Sequence, residues 1–473
     1  MPENFQLLHK TLQDKNNLIS EGSLLPQLFY SKSYEDFYFE FKKYCSKNNL
    51  KQFIVVTDGA PKNSGHHNED ITHLFLKNSP YPTVEINLSQ LCKIKHEDIR
   101  ASEEILNSLM EVIALENDTH FISLGSGTIT DLLKHALFLL KKNDCHFISV
   151  PSATTVTAFT SHFSVIDING AKKTRPSRKV DATFWIEPLL QSAPLSMQKA
   201  GFGDLLASFV SYADWFLAHK LNLTNSYNTI SHELLKPYEE FLKGPLHSSL
   251  VGQEYLTQNM EMFAQTLSMS GIGMSLCGET TPASGYEHVI SHGLDFLRLS
   301  SKRPLVLHGE QVALCTLSSA SSFQWLHEQS EFNVKSFRSL NEKDIQSVLL
   351  KLLSKAPFLD NQERNLPLIS QLFLEGALEK NKKWNNTQSH IQETLQQWNF
   401  WKQELQSLVI KPNELEKIMI QVGLPTFPEE TTPPMTALEF RWSMRFAPFI
   451  RPRFCLADFI FWIGEDPCAI AAV

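Results

Sequence analysis

His120-Phe121-Ile122-Ser123-Leu124-Gly125-Ser126-Gly127-Thr128-Ile129-Thr130-Asp131-Leu132-Leu133-Lys134 decides the fold. A short β-type run delivers Gly-Ser-Gly and passes directly into apolar residues at helical spacing, so strand, glycine turn and helix follow one another. Glycines let a backbone approach a pyrophosphate closely, and the free N–H groups and dipole of the following helix favour an anion. Thr130 holds the third place of G-x-G-x-x-G, so the same residues also serve as a tight turn without a ligand.

Outward from this stretch, residues 50 to 190 alternate β-branched or aromatic runs with helix-like segments. KQFIVVTDGA, YPTVEINL, DCHFISVPS, SHFSVIDING and KVDATFWIEP each read as a strand. That rhythm predicts an α/β unit with at least partly parallel strands. Val55-Val56-Thr57-Asp58 ends one run on an acid, where a carboxylate accepts hydrogen bonds from an adenosine ribose or, taken alone, caps a turn. After Pro194 the pattern changes to helix-spaced apolar residues, as in GDLLASFVSYADWFLAHKL and QEYLTQNMEMFAQTLSMSGIGMSL. The expected division is an α/β domain over 1–190 and a nearly all-helical domain over 191–473.

The 473 residues carry 43 Lys and Arg against 51 Asp and Glu, a net charge of −8, which leaves no electrostatic footprint for nucleic acid or an acidic membrane. The opening MPENFQLLHKTLQDKNNL lacks a basic-then-apolar leader, and no run approaches the roughly 20 apolar residues that span a bilayer. Seven dispersed cysteines without C-x-x-C speak against a disulfide framework or a thiolate zinc cluster and fit reduced thiols in a cytoplasm.

Three segments of the helical half carry metal-binding residue types. Gly201-Phe202-Gly203-Asp204 puts an acid at a glycine-marked helix start, where capping is its simplest role. Glu287-His288-Val289-Ile290-Ser291-His292 sets two histidines one helical turn apart, and His308 follows Leu305-Val306-Leu307 and precedes Gly309. One carboxylate and two imidazoles suit Zn²⁺, Fe²⁺ or Ni²⁺ with a position left open, although 17 histidines also cluster by chance.

Taken in order, GSGTITD, VPSATTVTAFTS, APLSMQKAGFGDLLASFVSYADW, PASGYEHVISH and LHGEQVAL resemble the glycerol-1-phosphate dehydrogenase family. That family lies within the group that also holds iron- or zinc-containing alcohol dehydrogenases, glycerol dehydrogenase and dehydroquinate synthase. VGLPTFPEE and FIRPRFCLADFIFWIGE extend the likeness, which covers about residues 40 to 465. It implies a dehydroquinate synthase-like fold: an N-terminal α/β nucleotide-binding domain, an all-α C-terminal domain, and a divalent metal in the cleft between them. The implied cofactors are NAD or NADP and one metal ion, zinc first, with iron or nickel as alternatives.

Carried across by position, the resemblance sets the nucleotide against Asp58, Gly125, Ser126, Gly127, Thr128, Asp131, Thr154 and Ser161. It sets the metal on Asp204, His288 and His308, the substrate against Thr157 and Asp204, and His292 beside the substrate as a catalytic proton relay or hydrogen-bonding group. Asp rather than Glu at position 204 favours the dehydrogenase branch. Thr157-Ala158 stands where the family has Asp-Gly, Thr281 stands where it has arginine, and Tyr286 replaces a small residue. Lys172 and Lys173 read either as a phosphate contact or as a solvated turn. The implied protein is a cytoplasmic oxidoreductase for a small polyol phosphate or ketone, most simply sn-glycerol 1-phosphate and dihydroxyacetone phosphate, with neither a nucleic-acid partner nor a membrane span. A homo-oligomer is compatible with it. The alternatives are a dehydroquinate synthase-like cyclase or lyase and a binding homologue that has lost catalysis.

Overall fold

A computed structural model of the chain describes residues 25–65, 69–168, 171–359 and 366–471. The leader reading of the first residues, and Asn169 and Gly170 before the lysine pair, lie outside them. Eight strands are formed: β1 Gln27–Ser31, β2 Phe53–Thr57, β3 Thr83–Asn87, β4 His120–Gly125, β5 Phe147–Pro151, β6 Phe163–Ile168, β7 Ala171–Pro176 and β8 Ala182–Ile186. Six of them make one sheet in the order β1-β8-β5-β4-β2-β3, with every pairing parallel. β6 and β7 form a separate antiparallel pair.

A parallel sheet needs cover on both faces, and the side-chain period of two supplies it. Val55, Ile122, Leu124, Ile148 and Val150 join one buried cluster with Phe37, Phe41 and Phe184. Their chain neighbours Ile54, Val56, Phe121 and Phe147 join another with Ile129, Leu133 and Leu137. The expected strands are all present, and β1 and β7 add to them. β7 reads Ala-Lys-Lys-Thr-Arg-Pro, a polar run that pairs only within its hairpin, so no apolar alternation announces it.

Five of the helices bear on the candidate residues: α1 Gly127–Leu139, α2 Leu195–Leu206, α3 Met260–Cys277, α4 Tyr286–Ser300 and α5 His308–Glu328. Among the described residues no strand follows Ile186, so the chain is an α/β region followed by an all-helical one. None of the described helices is long and apolar enough to cross a membrane. None of the seven cysteines forms a disulfide.

By contact density the chain forms two compact units that interleave in sequence. Among the described residues, the first holds those up to Phe202 together with Glu233–Leu242 and Gly252–Thr280, and the second Gly203–His232, Lys243–Val251 and those from Thr281 onward. In the first unit α3 is buried almost all round. Thr160 Oγ1 donates to Ser268 O at 2.9 Å and Trp185 Nε1 to Ser268 Oγ at 3.1 Å. A Cβ on Gly271 would stand 2.2 Å from Thr160 Oγ1, so this helix seats against the loop after β5 only because position 271 is glycine.

The first unit also holds histidines in the neutral form. Burial pushes His120, His135, His146 and His162 below the ordinary 6.5. His120 Nδ1 accepts the His146 backbone N–H at 3.1 Å, a bond that protonation of that nitrogen breaks. The unfolded chain therefore takes up protons first as pH falls below 6.5, and folding stability is lost in that direction. The thermal midpoint should drop between about pH 7.5 and about pH 5.5, with a shallower drop in His120→Asn. A drop in His120→Asn as steep as in the wild type would show that this ring is not held neutral.

Candidate functional site

In the first unit the glycine turn is built as the strand and helix on either side require. β4 ends at Gly125, level with Pro151 of β5, and Ser126 precedes α1 in extended conformation with no side-chain cap. The Ser126 side chain therefore satisfies none of the first N–H groups of this helix. A Cβ on Gly127 would meet Val156 Cγ2 at 2.2 Å, so glycine there allows the turn to pack on the following loop. Thr128 is half-buried beside it.

Asp131 is engaged elsewhere in the same unit. It lies 3.1 Å from Lys134 Nζ and accepts the Val165 N–H at 3.2 Å. Burial pushes the carboxyl up and the ammonium down, and their pairing opposes both shifts. Lys134 Nζ, fully buried, also donates to Ala158 O at 2.9 Å and Ser161 O at 3.1 Å, tying α1 to the segment that carries Thr157. Thr154 Oγ1 is buried without a hydrogen-bond partner among the described residues, whereas Ser161 Oγ donates to Phe163 O at 3.1 Å. Thr157 opens a one-turn helix, half-buried. Asp58 Oδ1 accepts the Ala60 N–H at 2.9 Å and pairs with Lys62, a residue no sequence motif singled out.

In the second unit Asp204, His288 and His308 each offer one ligand atom, all within 4.8 Å of one another. Asp204 Oδ1 stands 3.4 Å from His288 Nε2 and 3.6 Å from His308 Nε2. It is buried and has no hydrogen-bond partner among the described residues. A tetrahedral ion with bonds of about 2.1 Å separates its ligands by roughly 3.4 Å, so these spacings fit a metal better than they fit hydrogen bonds. Burial alone would raise the Asp204 carboxyl, but His288 and His308 together hold it below the usual carboxylate range.

Asp204 is not a cap. It lies inside α2, and the two glycines before it mark close approaches rather than a helix start. In the first unit a Cβ on Gly201 would fall 1.5 Å from Thr154 O, and in the second a Cβ on Gly203 would fall 2.4 Å from Gly309 O. The latter approach sets Asp204 next to the first turn of α5, which His308 opens.

His288 lies in the first turn of α4. Asp214 Oδ2, itself buried, accepts the Tyr286 N–H at 2.5 Å, and Asp214 Oδ1 accepts the Leu456 N–H at 2.6 Å. Glu287 Oε1 accepts the Gly285 N–H at 2.6 Å and lies 2.8 Å from His288 Nδ1. That contact fixes the proton on Nδ1 and turns Nε2 toward Asp204. His292, one turn on, is 8% exposed, with its ring 6.4 Å from that of His308 and its Nε2 against the Arg451 guanidinium. Glu287 could have been found as the acid adjacent to His288. Arg451, from the far C-terminal FIRPRF, carries no such signal.

A family model described as iron-containing alcohol dehydrogenase matches residues 33–184. A glycerol-1-phosphate dehydrogenase [NAD(P)+] of Geobacillus thermodenitrificans is 34% identical over 226 residues, 47% of this chain and 53% of the relative. One from Bacillus subtilis is 31% identical over 237 residues, 50% and 58% of the two chains. The chain thus spans about half the length of the curated relatives it matches. Among solved structures, sulfoacetaldehyde reductase from Bifidobacterium kashiwanohense in complex with NAD+ superposes with a TM-score of 0.52 at 12% identity, over 94% of this chain and 99% of that one. The chain shares the fold of that solved structure, an α/β region followed by an all-helical one.

Proposed function

We propose that this chain is a metal-dependent, NAD(P)-linked oxidoreductase for a small polyol phosphate or ketone, with sn-glycerol 1-phosphate and dihydroxyacetone phosphate as its substrate pair. The convergence of Asp204 Oδ1, His288 Nε2 and His308 Nε2 carries this proposal, because a buried carboxylate oxygen without a hydrogen-bond donor calls for a cation. The uncapped glycine turn before α1 and the likeness to named glycerol-1-phosphate dehydrogenases support it.

When bound there, a divalent ion supplies a Lewis acid that favours the alkoxide of an alcohol or polarises a carbonyl. The chain supplies the rest. Gly125, Ser126 and Gly127 would receive the pyrophosphate on backbone N–H groups, and Glu287 would hold the His288 imidazole in one tautomer. His292 accepts a hydrogen bond from Arg451 on Nε2, and would hold or pass a proton at the substrate oxygen.

Thr157 sets the expected rate. Where an aspartate would accept a charge-assisted hydrogen bond from a substrate hydroxyl, a threonine forgoes about 1.5–3 kcal/mol, roughly ten- to a hundredfold in transition-state binding. Purified protein loaded with zinc or iron should oxidise NADH or NADPH slowly in the presence of dihydroxyacetone phosphate, and Thr157→Asp should raise that rate by about tenfold or more. If metal and reduced nucleotide bind but both proteins are inert toward this ketone, the glycerol-phosphate assignment fails. Tightly bound nucleotide that is recycled without net turnover would point instead to the cyclase or lyase class.

A further inference from the structure

The end of β2 lies beside the glycine turn. β2 and β4 run parallel with Val56 opposite Ser123, and Asp58 and Gly125 each follow two residues on, so both strands end on the same side of the sheet. A dinucleotide whose pyrophosphate sits on that turn sends its adenosine ribose toward the neighbouring strand end. A bare carboxylate there binds the 2′- and 3′-hydroxyls and repels a 2′-phosphate.

Asp58 is not bare. Lys62, four residues on, places Nζ against Asp58 Oδ1, with the two side chains 16% and 15% exposed. The same Nζ donates to Ala60 O at 3.0 Å, and Ala60 N–H donates back to Asp58 Oδ1 at 2.9 Å, so the 58–62 segment is a closed loop with the ammonium held in it. A second observation locates that ammonium relative to the turn. Lys62 Cε lies 3.9 Å from where a Cβ on Gly125 would stand. The acid that would select against a 2′-phosphate is therefore charge-compensated by a cation on the side facing the phosphate-binding turn.

We infer that Lys62, held by Asp58, is a specificity-determining residue that receives the 2′-phosphate of NADP(H). A 2′-phosphate entering beside this pair meets a donor it can share rather than an uncompensated negative charge, while the ribose hydroxyls of NAD(H) still find the carboxylate. The inference rests on the proposal that the glycine turn takes a nicotinamide dinucleotide.

Fluorescence titration with NADH and NADPH, without substrate, tests it. The wild type should bind the two with affinities within about tenfold of each other. Lys62→Met, which keeps the length of the side chain and removes its charge, should weaken NADPH by about tenfold or more and NADH by less than about threefold. Lys62→Arg should retain NADPH, and Asp58→Asn should shift preference toward NADPH. Equal losses for both nucleotides in Lys62→Met would assign Lys62 to the shared pyrophosphate and overturn the inference. So would a wild type that binds NADH and excludes NADPH. If neither nucleotide binds the folded wild type, the dinucleotide assignment falls, and this inference falls with it.

Discussion

Asp204→Asn is expected to lower divalent metal affinity by roughly a hundredfold or more while leaving the helices intact. Loss of a supporting residue around a metal ligand already costs about ten- to a hundredfold, and in the proposed centre Asp204 would be the anionic ligand itself. Its Oδ1 stands 3.4 and 3.6 Å from the two imidazole nitrogens, buried and with no hydrogen-bond donor among the described residues. An amide in its place offers a neutral oxygen, or an N–H aimed at the two nitrogens. Glu287→Gln should fall lower on the same scale, by about ten- to a hundredfold, because the amide oxygen can still meet His288 Nδ1–H but without the charge that raises the ring's basicity. Competition against a chromophoric chelator, with circular dichroism as the control for folding, measures both. Metal content at the wild-type level in Asp204→Asn would dissolve the proposed centre.

Gly203→Ala should damage stability and metal binding together. The new Cβ would stand 2.4 Å from Gly309 O and 3.1 Å from Ala313 Cβ, and a backbone oxygen cannot rotate away as a side chain does. The start of α5 must move, at a cost of about 1–3 kcal/mol as is usual for overpacking, and His308 moves with it. Gly278→Ala is the comparison: its Cβ meets nothing within 4 Å, so only the strain of its positive φ is added and metal affinity should hold. Urea unfolding alongside the chelator assay separates the two variants. A Gly203→Ala protein as stable and as metal-competent as the wild type would show that the close approach of α2 and α5 does not set the site.

The parts of this molecule that the sequence discloses are those written in local periodicity. Ile54 and Val55 face opposite sides of the sheet, and His288 and His292 lie one turn apart on α4, because the spacing of neighbours along the chain dictates it. What stays hidden is set by contacts between distant segments. Gly201 and Gly203 look like helix punctuation until Thr154 O and Gly309 O are seen to need the space their side chains would fill. Lys62 looks like a surface lysine until it is found folded onto Asp58. α3 reads as part of a helical half, yet it packs with the sheet-bearing unit through Thr160 and Trp185, neither of which announces a helical partner. β1 precedes the alternating region and pairs only with β8, the last strand of the sheet, so its place depends on a partner far along the chain.

The three ligand atoms belong to chain positions 204, 288 and 308, on three separate helices. An ion shared among them would act as a removable cross-link, closing one long and one short loop that the unfolded chain would otherwise leave open. Ions that bind the folded form alone stabilise it in proportion to the logarithm of their free concentration above Kd. Metal supply would then govern how much of the chain is folded as well as whether it can act, so a shortage of the ion would be felt as loss of protein before it was felt as loss of rate.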